Sequence, residues 1–275
     1  MINRHFYFLK KFKKILPNKA KLIYYKNLDY REQTLTNGEM EFFQCIKPDL
    51  KIMIDIGPRT DTYYADNSEN LYINYFEANP IFCRILSKKL SNSTFNYRLE
   101  NIGISDNEDP LYYYHSTQSF LELSAVGTKS NTRSSSRIQM RTLDSFGFEN
   151  VDFLKMDLEE MDYFALKGAA GLLPKIRYLQ FELGLAKVGH QKRITNEDYI
   201  SLLTPNFDLY LLKDEKNVIW RENFANGLLL KLERSNLKIL KILQSCGIGF
   251  NVVGINRSFK DNPVLNKLIQ KSWFN

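Results

Sequence analysis

Two short apolar runs decide what this chain can become. Ile52-Met53-Ile54-Asp55-Ile56-Gly57 and Leu71-Tyr72-Ile73-Asn74-Tyr75-Phe76-Glu77-Ala78-Asn79-Pro80 each join β-branched and aromatic residues to a carboxylate near the end. That pattern describes a strand buried on both faces whose polar end emerges at a cleft. The runs stand about twenty residues apart, which leaves room for a helix and makes them the first βαβ unit of a doubly wound sheet. Ligands bind such sheets beyond the carboxyl ends of the strands, where Gly57 and Glu77 fall. Glycine lets backbone approach a ligand closely, and a carboxylate at the second strand end can hold both hydroxyls of a ribose. The plainer alternative is a parallel pair whose acids merely cap solvent-facing ends.

The rest of the chain extends this α/β pattern. Its 275 residues can bury a substantial core, and an apolar share of 44% with 25% charged residues is that of an ordinary soluble protein. No apolar run approaches the length of about eighteen that would span a membrane. Three scattered cysteines, Cys45, Cys83 and Cys246, make neither a disulfide framework nor a metal cluster and favour a reducing cytoplasm.

The net charge of +7 is unevenly placed: eight basic residues and no acid lie up to Lys26, which leaves the remainder near neutral. In that arm Phe6, Phe8, Leu9, Phe12, Ile15 and Leu16 recur at helical spacing between lysine pairs, until Pro17 ends the pattern. Such a helix can rest on anionic lipid at the inner membrane face, dock on a partner, or fold back with its lysines solvated. Lysines inside the apolar run argue against a secretory signal, and no aromatic-basic platform points to nucleic acid.

The spacing divides the chain into an arm and lead-in helix over 1–48, an α/β domain over 49–233 and a helical appendage over 234–275. Within the domain, strands are expected at 52–56, 71–76, 97–104, 111–114, 138–141, 151–157 and 176–183. Phe207–Leu212 and Gly227–Leu232 read as a closing antiparallel pair. The polar stretches 128–137 and 184–198 read as surface loops, the first able to act as a lid. The tail from Asn236 carries Leu237, Ile239, Leu240, Ile242 and Leu243 in a helical pattern.

Taken in order, Asp55-Ile56-Gly57, Phe76-Glu77-Ala78-Asn79-Pro80, Asn101-Ile102-Gly103-Ile104-Ser105-Asp106, Thr142-Leu143-Asp144, Asp152-Phe153-Leu154-Lys155-Met156-Asp157-Leu158-Glu159, Leu166-Lys167-Gly168-Ala169 and Phe181-Glu182 form a series. This series resembles the FkbM-type methyltransferases over about residues 50–185. The resemblance implies a Rossmann-like class I methyltransferase sheet, with S-adenosylmethionine as cofactor and O-methylation of a sugar, glycan or related metabolite. It places Asp55, Gly57 and Arg59 at the methionyl end of the cofactor, Glu77 at the ribose, and Asn101, Ile102 and Gly103 beside the adenine, with Asn79 also among the cofactor-binding residues. Asp157, Glu159 and Glu182 would border the acceptor. Methyl transfer is an in-line displacement that rests on positioning, and a hydroxyl acceptor gains from a base at its proton. Asp157 is the first candidate for that base, Glu159 the second, and His190, on a loop, the third.

The cofactor loop departs from the family pattern. Pro58-Arg59-Thr60-Asp61 stands where the family continues Ala-Asn-x-Gly, Glu160 replaces a glycine, and Asp162 replaces a glutamate. Asp61 would repel the cofactor's carboxylate unless Arg59 pairs with one of the two. A methyltransferase-like scaffold without catalysis, or a different nucleotide in the same cleft, are the competing readings. No His/carboxylate spacing marks a metal site, although acids at 157, 159 and 182 could hold a hard cation if the fold gathered them.

Overall fold

The computed structural model describes residues 38–66, 70–109, 111–116, 132–158, 161–183, 194–212, 229–238, 240–241, 250–259 and 269–270. The basic arm, Glu159 and His190 lie outside the described residues. The lead-in helix is present as α1 (Glu39–Ile46), with Met40, Phe42, Phe43 and Ile46 buried along one side. Then follow β1 (Ile52–Ile56), the short helix α2 (Tyr63–Asp66) and β2 (Tyr72–Phe76). Helix α3 (Pro80–Leu90) is capped by Asn79 and has Pro80 at its first position, where a missing N–H costs nothing.

The expected strand 97–104 is two strands. β3 (Tyr97–Glu100) joins the main sheet beside β2, whereas β4 (Gly103–Ile104) leaves it. β5 (Leu111–Ser116) pairs antiparallel with β6 (Thr132–Ile138), and β7 (Met140–Arg141) pairs parallel with β4. The surface loop expected over 128–137 is therefore corrected: residues 132–137 belong to β6. Its run of serine, threonine and arginine lacks strand character by composition, and pairing with β5 supplies it, since strand preference depends on context.

The remaining elements are β8 (Val151–Met156), α4 (Asp162–Lys167), β9 (Ile176–Leu183), α5 (Asn196–Leu203), β10 (Phe207–Leu212), β11 (Leu229–Lys231), β12 (Phe250–Asn256) and β13 (Ile269–Gln270). The nine-stranded sheet runs β13-β11-β10-β12-β9-β8-β1-β2-β3. From β3 to β9 all pairings are parallel, and the order reverses between β1 and β8. That reversal makes the doubly wound switch point. β10 and β11 pair antiparallel as expected.

The boundary at 233 does not hold. β12, expected within a helical appendage, is inserted antiparallel between β9 and β10. Its sequence, Phe-Asn-Val-Val-Gly-Ile-Asn, is β-branched and buried, and a strand in the middle of a sheet cannot be an appendage.

Two apolar layers sandwich the sheet. Ile54, Ile56, Leu154, Met156, Leu179 and Phe181 pack on α4 and α5 through Leu166, Tyr199, Ile200 and Leu203. On the other face Met53, Ile73, Tyr75, Phe153 and Tyr178 pack on α1, α2 and α3 through Phe42, Phe43, Tyr64 and Leu86. At about 25 cal/mol per Å² of apolar surface buried, these layers hold the strand ends in place.

Candidate functional site

The site forms where β1, β2 and β8 end together. Gly57 donates its N–H to the Phe76 carbonyl at 2.9 Å, and Asp157 donates its own to the Ile56 carbonyl at 3.0 Å. Three strand ends are thus tied by backbone alone. Gly57 has φ 75°, and a Cβ there would stand 2.2 Å from the Asp157 carbonyl oxygen. No residue with a side chain fits this turn, because both partners are backbone.

Glu77 follows β2 and is only 2% exposed. Its Oε2 accepts the N–H of Arg59 at 2.8 Å, and its Oε1 accepts the N–H of Asn79 at 2.7 Å. Burial pushes this carboxyl up to about 7, against the two backbone donors and the Arg59 charge, which hold it down. Each oxygen keeps a further lone pair for a hydroxyl. Arg59 reaches its carboxylate from a left-handed backbone, φ 56°, in the loop where sequence places Pro58 and Asp61. Asp61 accepts the Tyr63 N–H at 2.8 Å, which starts α2, and its charge also acts on Asp55 and Lys155. Lys89, from α3, donates to the Thr60 carbonyl at 2.6 Å and braces the loop from behind.

Asn79 lies beneath α3, its Oδ1 accepting the Ile81 N–H at 2.9 Å. Asn101 donates its Nδ2 to the carbonyls of Glu77, at 2.7 Å, and Ala78, at 3.2 Å, joining the ends of β2 and β3. Ile102 is buried, and Gly103 lies so close to Met140 that a Cβ would stand 2.4 Å from its sulfur. Gly57, Arg59, Glu77 and Asn101 thus meet at the ends of β1, β2 and β3, with Asp55, Asn79 and Ile102 buried and Gly103 on β4 beside β7.

Asp55 is 2% exposed, and its Oδ1 meets no hydrogen-bond partner among the described residues. Lys155 Nζ lies 3.8 Å from that oxygen and 4.0 Å from Asp157 Oδ2. Burial pushes the Asp55 carboxyl up to about 7 while Lys155 pulls it down. Lys155 itself is raised above its ordinary value: burial opposes its charge, and Asp55 and Asp157 more than offset this. Asp157 has 47% of its side chain exposed at the end of β8.

Beyond it a second acid is buried: Asp162, 1% exposed at the start of α4. Burial, with Asp157 and Glu182 adding like charge, raises its carboxyl to about 8. Glu182 lies in β9 opposite Asn251 of β12. Tyr199 stacks on Phe181 with ring centroids 5.4 Å apart and meets Tyr163 edge-on at 5.2 Å. Among the described residues no group of three His, Cys, Asp or Glu side chains could hold a metal, and no helix is long and apolar enough to cross a membrane.

Sequence reasoning gave no role to Lys155 and saw Asp162 only as a departure from a pattern. A signal existed for Lys155: a lysine inside the buried strand Val151–Met156 needs an anionic partner. For Asp162 and Tyr199, which sit on two helices far apart in sequence, none did.

A model described as the methyltransferase FkbM domain matches residues 55–247. Among curated proteins nothing matches. Among solved structures, the methyltransferase FkbM from Methylobacillus flagellatus KT is similar at 18% identity and TM-score 0.41, over 59% of this chain and 40% of that one. A SAM-dependent methyltransferase from Aquifex aeolicus aligns at 11% identity and TM-score 0.40, over 87% of this chain and 99% of its own. A TehB-like SAM-dependent methyltransferase from Corynebacterium glutamicum ATCC 13032 Kitasato aligns at 10% identity and TM-score 0.42, over 87% and 100%. This chain thus spans less than half the length of the Methylobacillus protein.

Proposed function

This chain belongs to the FkbM methyltransferase family, and on that premise we propose that it methylates a hydroxyl of a sugar, glycan or related metabolite. Its cofactor is S-adenosylmethionine, which supplies a sulfonium-bound methyl group. The observation that carries the reading is the Glu77 carboxylate: buried at the end of β2, held by two backbone N–H groups, and beside a turn only glycine can make. A carboxylate so fixed presents its free lone pairs to a vicinal diol at no cost in rotamer entropy. Asp55, Gly57 and Arg59 would hold the methionyl end, Asn79 would brace Glu77, and Asn101, Ile102 and Gly103 would flank the adenine. The residues fit the group: Gly57 opens the backbone, and Asp55 Oδ1 has no hydrogen-bond partner among the described residues.

For the acceptor, Asp157, the half-exposed carboxylate at the adjoining strand end, would take the hydroxyl proton as the oxygen attacks; its exposure supports this. Glu159 and His190 remain the second and third candidates. The basic arm would hold the protein near an anionic membrane where lipid-linked sugars are assembled; its eight basic residues without an acid support this.

The test is calorimetric titration with S-adenosylmethionine and S-adenosylhomocysteine, on the native protein and on Glu77→Ala. Saturable binding that the substitution removes is expected, followed by a screen of hydroxyl acceptors. Absence of heat and of thermal shift at high ligand concentration would overturn the reading and favour a scaffold without catalysis.

A further inference from the structure

One row of polar side chains crosses the apolar face that α1 and α2 cover. Tyr75, Asp55, Lys155 and Gln180 stand in register on β2, β1, β8 and β9, and residues in register on parallel strands point to the same face. Two residues earlier in each strand the same face carries Ile73, Met53, Phe153 and Tyr178, all fully buried. Tyr75 OH, Asp55 Oδ1 and Gln180 Oε1 have no hydrogen-bond partner among the described residues. At 3.8 Å and 4.0 Å, Lys155 is too far from Asp55 and Asp157 for hydrogen bonds, so it acts on both as a charge. Burying an ammonium and a carboxylate gains little stability over an apolar pair, so this row is poorly explained as a device for folding.

We propose that Lys155 is a positioning residue of the cofactor site: its ammonium, lodged between Asp55 and Asp157, holds Asp55 as the anion that meets the ammonium group of the cofactor's methionyl end. The inference rests on the placement of Asp55 at that end under the proposed function. Asp55 is faced by Lys155 from β8, Asp157 beyond it, Asp61 from the loop after β1 and Glu39 from α1. Tyr75 of β2, Tyr64 of α2 and Glu77 also feel its charge. Lys155 is the cation that lowers Asp55, while burial and the acids raise it. Removing the ammonium moves Asp55 further up, so the carboxylate forms only at more alkaline pH.

The test is calorimetric titration with S-adenosylhomocysteine between pH 6 and 9 on the native protein, Lys155→Met, Lys155→Arg and Asp55→Asn, with thermal melts of each. In the native protein affinity should rise with pH as Asp55 ionises. In Lys155→Met the rise should move by a pH unit or more, weakening binding at pH 7 about fivefold or more. Lys155→Arg should follow the native profile, and Asp55→Asn should bind weakly and keep only the shallower rise that Glu77, also pushed up to about 7 by burial, supplies. A native profile in folded Lys155→Met overturns the inference. So does a rise in Asp55→Asn as steep as the native one, the deciding variant if Lys155→Met fails to fold. A native protein that binds neither S-adenosylmethionine nor S-adenosylhomocysteine at any pH defeats the cofactor reading itself and this inference with it.

Discussion

Glu77, just after β2, and Asp162, at the start of α4, are two acids 2% and 1% exposed, and burial raises both. Their surroundings then act in opposite directions. Each Glu77 oxygen receives a short backbone N–H, and the Arg59 charge adds to the pull downward. Asp162 accepts the Leu158 N–H at a long 3.4 Å, its Oδ1 has no partner among the described residues, and Asp157 and Glu182 repel its charge. Burial alone therefore does not assign a role to an acid. Glu77 sits in a cradle of backbone donors, whereas Asp162 has one long donor and like charges around it, so its carboxyl keeps its proton to higher pH.

That contrast can be broken most directly at Gly57. Gly57→Ala puts a methyl group against the Asp157 carbonyl in a left-handed turn and should destabilise the protein by roughly 2 kcal/mol or more, with loss of cofactor binding. Thermal unfolding checks this, and a native melting temperature would mean the cradle is not rigid. Glu77→Ala should weaken S-adenosylhomocysteine binding by about 100-fold, because it removes a charged acceptor and orphans two N–H groups. Glu77→Gln, which retains one acceptor oxygen, should lose less in the same calorimetric titration.

Asp162 sharpens the other half. Its folded value of about 8 lies above the ordinary 3.8, so between those limits the folded protein binds the extra proton and stability falls as pH rises. Asp162→Asn should therefore raise the melting temperature more at pH 8.5 than at pH 5, by the equivalent of roughly 1–3 kcal/mol. An equal shift at both pH values would show that Asp162 is ionised throughout. The smallest effect is expected at Arg59. Arg59→Gly relieves a left-handed backbone but loosens the unfolded chain, for a net change within about 1 kcal/mol by denaturant titration. If cofactor affinity survives, only the Arg59 N–H matters; a large loss would give the guanidinium a share in the cofactor site.

Much of the rim at the ends of β1 and β2 was legible in sequence because Asp55, Gly57 and Glu77 stand at or just past the ends of β-branched runs. The surroundings of Asp162 were less legible. Asp157 ends a visible strand, yet Asp162 gains its character from burial beside Asp157 and Glu182, and Tyr199 is placed by Phe181 and Tyr163. Those contacts join segments whose order along the chain says nothing of their separation in space.

The sequence by itself determined the parallel strands of β1, β2, β8 and β9 and the family. Each follows from local alternation or an ordered motif series within a few tens of residues. Tertiary structure decided three things: that residues 132–138 are a strand, that β12 threads between β9 and β10, and that Lys155 stands between two acids. Strand pairing and buried charge depend on which distant segment lies alongside, and backbone hydrogen bonds and desolvation settle that only once the layers have packed.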